Sequence, residues 1–373
     1  MHTRRQSAPT RPAHRSRVRV RRTIASNRHA IASNRMAIAL LWVTTALAAA
    51  GCGQLPPLPI VGDVDLTPPS IVGLELRTPL ELVVRFDEPI SRVSDGIGVS
   101  DSIADAILEI EDEQNGVFRF STAPAPEIEH WVEAQVADRA GNNLRFLLRF
   151  HGLNGFIPAM VINEFTTKGS TNRPDMVEIA VLTDGNIAGA TLFEGIPGDW
   201  DQRFVFPSVD VVAGDFIVVH FRPDGIPEEI NETVSKTQSG GKDATDTAWD
   251  YWVPGGSGLS SNNGVLTLTE NPLGGYIDAV IYTNRTSDSD ERYRGFGSTK
   301  LMKRVDAIAA AGHWVYAGAL IAPEDAVNSE RSTATRSMAR SSDSRDTNSK
   351  DDWHITPTSG VSPGRPNTDE RFE

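Results

Sequence analysis

Cysteine is almost missing: the 373-residue chain has one, Cys52. Without a second thiol there is no internal disulfide, so burial of apolar surface has to hold the body together. Acid is missing from one region. The first 51 residues hold ten arginines, at 4, 5, 11, 15, 17, 19, 21, 22, 28 and 35, and neither Asp nor Glu. The rest of the chain carries 26 basic against 49 acidic residues, a formal charge of −23. A body of that sign repels phosphate backbones, and Lys300, Lys303 and Arg304 are its one compact basic candidate. No nucleic-acid partner is therefore expected. Catalytic motifs are scarce too: H-E-x-x-H, the P-loop and the glycine-rich dinucleotide pattern do not occur, and the histidines beyond the leader (130, 151, 220, 313 and 354) are scattered.

What is there begins with an apolar run. Residues 36–51 (MAIALLWVTTALAAAG) are sixteen uncharged positions following Arg35, short of the ~20 that span a bilayer and suited to the apolar region of a secretory signal. The run ends in Ala49-Ala50-Gly51-Cys52, which resembles the lipobox of bacterial lipoproteins, with Ala49 where that family usually carries a larger aliphatic. The resemblance implies cleavage of residues 1–51, lipidation of Cys52, export, and attachment to the cell envelope at the bacterial outer membrane or surface. An ordinary cleaved signal with an incidental cysteine is the alternative, and Arg21-Arg22 lies too far ahead of the run for a twin-arginine signal. Residues 52–69 form a proline-rich linker.

With 31 Gly, 23 Pro and many short Val/Ile/Phe/Leu runs, the remainder reads as all-β. Apolar and polar positions alternate at 80–86 (LELVVRF), 106–110, 117–120, 131–136 and 144–150. In the first of these, Leu80, Leu82, Val84 and Phe86 share one face. The phrases VRFDEPI (84–90) and VADRAGNN (136–143) resemble bacterial immunoglobulin-like modules of cell-surface proteins, which implies a β-sandwich over residues 70–152. Gly141-Asn142 suits a tight hairpin that Asp138 can cap. Asp63, Asp65, Asp87, Glu88 and Asp138 are candidates to gather at one end and hold Ca²⁺; turn caps account for them equally well, and no other cofactor is expected.

Further on, MVINEF (160–165), DMVEI (175–179), FVFP (204–207) with VAGDFIVV (212–219), LSSNNGVLTL (259–268) and GYIDAVIY (275–282) occur in order. Arg340, DTNSKDDW (346–353) and SPGRPN (362–367) close the series. Together these resemble lamin tail domains, which are immunoglobulin-like sandwiches found in nuclear lamins and in many secreted or lipid-anchored bacterial proteins. The resemblance implies a second β-sandwich over residues 157–367, carrying inserts at about 222–258 and 286–342. The second insert is predicted to hold a helix near 299–311, where Leu301, Met302, Val305 and Ile308 recur at helical spacing. Asn163, Glu164 and Glu178 read as satisfied structural groups and Trp353 as a core plug; the Ser/Asp/Arg-rich stretch before it reads equally well as a flexible tail.

The first insert places Trp249, Tyr251 and Trp252 beside Asp243 and Asp246. Rings next to acids can stack on sugars while the carboxylates take hydroxyls, or can anchor a protein partner; the plainer reading is that the rings fold back over the sandwich. The expected role is a non-catalytic, lipid-anchored envelope protein that binds or tethers, with an extracellular glycan or protein as partner. The competing expectation is a metal-assisted extracellular hydrolase, which requires Asp243, Asp246, Asp288, Asp290 and Glu291 to converge in one cleft.

Overall fold

Alternation turns into strands almost wherever the sequence shows it. The computed structural model describes residues 65–93 and 96–373. Cys52, Asp63 and the leader lie outside the described residues. Within them the chain is mostly β, with one α-helix and three short 3₁₀ turns.

The first half runs β1 (Ile71–Thr78), β2 (Glu81–Phe86), β3 (Ser91–Arg92), β4 (Gly98–Val99), β5 (Ala106–Ile110), β6 (Asn115–Phe120), β7 (Glu129–Ala137) and β8 (Asn143–His151). An antiparallel sheet of order β1-β2-β6-β5 faces a second sheet in which β7 pairs with β3, β4 and β8. Side chains of a strand alternate between its faces, so Leu82, Val84, Phe86 and Phe118 from one sheet meet Val132, Val136 and Phe150 from the other in a shared core. On the outer face of the first sheet, Val83 and Val117 stand opposite each other and are also buried. Around them run the pairs Arg77–Glu111, Arg85–Glu75, Arg119–Glu81 and Arg119–Glu109, whose long stems cover the valines.

The second half runs β9 (Met160–Thr166), β10 (Met176–Val181), β11 (Gly185–Asn186), β12 (Thr191–Ile196), β13 (Asp199–Val205), β14 (Asp210–Val211), β15 (Phe216–His220), β16 (Trp249–Trp252), β17 (Asn263–Asn271) and β18 (Gly274–Thr283). After these come α1 (Thr299–Ala310), β19 (Val327–Asn328), β20 (Met338–Arg340) and β21 (Trp353–Ile355). A six-stranded sheet, β16-β15-β10-β9-β20-β21, lies over a five-stranded one, β13-β12-β17-β18-β19. Ile162, Val177 and Ile217 meet Leu192, Leu266 and Val280 between them.

Neither long connection is a free excursion. The first returns as β16, paired in parallel with β15, and the second supplies α1, β19 and β20. Helix α1 matches its expected span to within a residue. Ser298 caps it by accepting from the Leu301 N–H at 3.1 Å, and Leu301, Val305 and Ile308 form its buried stripe. Trp353 plugs the core against Phe165, with ring centroids 5.3 Å apart. The stretch before it is not a tail: Asp346 and Asp352 accept from the fully buried Arg340, which also pairs with Asp278 and lies 4.6 Å above the Trp353 ring.

Residues Asp65–Glu373 form one compact unit. Its two cores meet at a tight joint. The Asn154 side-chain amide donates to the Asn186 and Ala188 carbonyls at 2.7 and 2.9 Å, and a Cβ at Gly189 (φ +79°) would stand 2.8 Å from the Pro126 carbonyl oxygen. No described helix is long and apolar enough to cross a membrane.

Candidate functional site

The aromatic cluster of the first insert is built into the fold. Strand alternation turns Trp249 and Tyr251 toward the core and Asp250 and Trp252 to the opposite face. Tyr251 is fully buried, its ring 5.3 Å from those of both Phe204 and Phe206. Trp252, 4% exposed, stacks on His220 at 3.9 Å and donates its indole N–H to Ser239. Trp249 is half-buried, donates to Asp215 and has Lys236 above its ring. Every ring already has its neighbours within the fold. Asp243 and Asp246 are exposed on the preceding turn, Asp243 with a left-handed backbone (φ 63°) at the mouth of a cavity of only about 30 Å³ beside His220.

Beneath this connection the outer face of the six-stranded sheet carries a row of buried ionisable groups. His220 Nε2 lies 2.7 Å from Asp250 Oδ1, both nearly inaccessible. Buried Glu232 accepts from the N–H groups of Gln238, Ser239 and Asp250, which pins the connection down. Glu164 and Glu178 stand opposite each other in β9 and β10. Glu164 accepts from Ser337 and from the N–H and hydroxyl of Ser362; Glu178 accepts from Asn163 and from the Gly364 N–H at 2.7 Å. Burial pushes both carboxyls above their ordinary range, Glu178 the further, with Glu164 adding to the push.

Residues 360–364 (GVSPG) carry the G-x-S-x-G spacing of a hydrolase nucleophile, a match that a motif reading alone makes tempting. The geometry is wrong for that chemistry. Ser362 sits in a loop between no strand and no helix, its hydroxyl is bound by Glu164, and Pro363 has no N–H to give an oxyanion.

The carboxylates required of a metal-assisted hydrolase are spent separately. Asp290 accepts from the Tyr293 and Gly297 N–H groups and from Arg285; Asp243 borders a different cavity. Among the described residues, three side chains with ligand oxygens within 4.8 Å of one another occur at Asp65, Glu88 and Asp138, and not among Asp243, Asp246, Asp288, Asp290 and Glu291. Of the acids expected at the end of the first sandwich, Asp87 accepts the Ser70 N–H and is not one of the three that gather. Burial, with Asp138 and Asp65 nearby, raises the Glu88 carboxyl; burial also acts on Asp138, but the donors of Asn142 outweigh it and hold that group low. The donors are hard oxygens of the type Ca²⁺ takes, fewer than the roughly six to eight it gathers.

Two of the three residues of the basic patch are paired. Arg304, 5% exposed, donates to Asp199 and Asp201 at 3.0 and 2.6 Å, and Lys300 bonds Asp201, while Lys303 is exposed on α1.

One feature lay beyond sequence reasoning. A cleft of about 800 Å³ opens between the β19 edge of one sheet and the β21 edge of the other, lined from four separate stretches of chain. Of its residues only Trp353 stands out in the sequence.

A sequence-family profile described as the second domain of the TP_1001 protein matches residues 158–355, just over half of the chain. The chain belongs to the TP_1001 second-domain family. The matched stretch runs from the start of β9 to the end of β21, through both long connections. A Treponema pallidum (strain Nichols) protein, named only as an uncharacterised protein, is 27% identical over 154 residues, which are 41% of this chain and 39% of the relative. The chain thus spans well under half the length of that relative.

Proposed function

We propose that this chain is a non-catalytic, lipid-anchored protein of the bacterial cell envelope, in which two immunoglobulin-like β-sandwiches, the second lamin tail-like, hold a binding surface away from the membrane. The observation that carries this reading is the leader: ten arginines and no acid, sixteen uncharged residues, then the lone cysteine of an otherwise thiol-free chain. Two facing sheets around each of two cores support the sandwich reading. So does the placement of the lamin tail-like phrases, which fall in order on β9, β10, β13 with β15, β17, β18 and β21. SPGRPN comes next, as the segment that docks on Glu164 and Glu178.

Acyl chains on Cys52 would each contribute about 0.8 kcal/mol per buried CH₂, and two or three together anchor stably. Metabolic labelling with a palmitate analogue is expected to mark the protein in the membrane fraction, and Cys52→Ser to lose both label and membrane association. Unchanged labelling in Cys52→Ser would overturn the anchor.

A further inference from the structure

We propose that the cleft between β19 and β21 binds a short neutral oligosaccharide. Its wall carries two aromatic side chains, Trp353, which is 6% exposed, and Phe372. Around the mouth the Arg371 guanidinium and the Asp351 carboxylate make no hydrogen bond among the described residues, and Asn328 uses its oxygen on the Glu330 N–H while its amide nitrogen stays free. Donors and acceptors are therefore both unspent. A hydroxyl does both jobs at once, which a carboxylate, a sulfate or an ammonium does not.

Charge points the same way. Lys350 and Arg371 balance Glu324 and Asp351, and Arg285 is already paired with Asp290. A balanced rim gives a polyanion or a polycation no advantage. The rim is also held in place beforehand: Glu324 takes the N–H and hydroxyl of Ser287 at 2.7 Å each, and Lys350 donates to the Glu324 carbonyl at 2.6 Å, so less order has to be imposed on binding. A volume of about 800 Å³ sits within the range of small-ligand sites and accommodates more than one sugar ring.

The inference deepens the binding role proposed above by naming its ligand class. It stands apart from the anchor, which is read by label on Cys52. In the test, the full-length chain in detergent is titrated calorimetrically with neutral tetrasaccharides of glucose, mannose and N-acetylglucosamine, with alginate and heparin tetrasaccharides as charged comparators. At least one neutral tetrasaccharide is expected to bind. Arg371→Ala and Asp351→Ala should each weaken it about tenfold without moving the thermal midpoint. Trp200→Ala, at an exposed ring outside the cleft, should change nothing. Binding by the charged sugars alone, by no probe, or with equal strength in Arg371→Ala and Asp351→Ala would overturn the proposal.

Discussion

Tyr251 carries a hydroxyl to which the fold gives no partner, although the ring itself is packed between two phenylalanines. Burial holds its phenol proton far more tightly than usual. Removing an unpaired buried polar atom costs nothing in lost bonding, so Tyr251→Phe is expected to stabilise the protein by up to ~1 kcal/mol, whereas Tyr251→Ala should cost about 3–5 kcal/mol through the cavity it leaves; urea unfolding separates the two. Arg340 is the opposite case. Its guanidinium joins Asp278, Asp346 and Asp352 with none of its surface exposed, and Arg340→Ala would strand those charges. A loss of about 3–5 kcal/mol is expected in the same measurement. The Glu164–Glu178 pair predicts a pH dependence. Both folded-state carboxyls lie above their ordinary values, so the folded protein holds protons that the unfolded chain has released. Stability contributed by the pair is therefore complete below the ordinary glutamate range and is lost as pH rises from there through the raised folded-state values. Unfolding free energies from urea titrations at successive pH values above the ordinary glutamate range should fall with pH at a slope of up to about 1.4 kcal/mol per unit per proton, and Glu178→Gln should flatten that slope even where it lowers the stability itself.

At the scale of the element, α1 depends on its cap and on one stripe. Ser298→Ala should cost about 1 kcal/mol, read by thermal unfolding, because the Leu301 N–H loses its acceptor. That helix was legible in the sequence because Leu301, Val305 and Ile308 keep one period along a single face. β2, β5, β6, β7 and β8 were legible for the matching reason, a period of two in which polar side chains hold most of the outer positions. β16 was not. Its WDYW has covered neighbours on both faces, so no alternation marks it, and its acids and rings imitate a ligand loop. Strands of two or three residues such as β19 and β20 carry too few positions to show any period. The cleft at this end of the sheets is assembled from residues far apart in the chain, and proximity of that kind leaves no local motif.

For the whole molecule the joint between the cores decides cooperativity. Asn154 bonds two carbonyls of the second half from the connecting segment, and the close approach at Gly189 leaves no space for a side chain. Asn154→Ala, or Gly189→Val, is expected to split a single unfolding transition into two, with Trp131 fluorescence reporting the first half. Charge acts at this scale too. A body of −23 repels itself, so added salt should raise the unfolding midpoint, while ion pairs on the first sheet's outer face weaken slightly in return.

The docking of Ser362 and Gly364 on Glu164 and Glu178 spans almost 200 positions of chain, and β9 takes β20 as its neighbour only after everything between has been made. The central strand of the larger sheet is therefore among the first segments of its half to be synthesised and among the last to be closed. Until residues 338–364 arrive, two glutamates and the edge of β9 stay open to water. The second half is thereby late to close: it stays unfinished until residues 338–364 have been made, and an unfinished chain can still be threaded, extended, through a narrow channel.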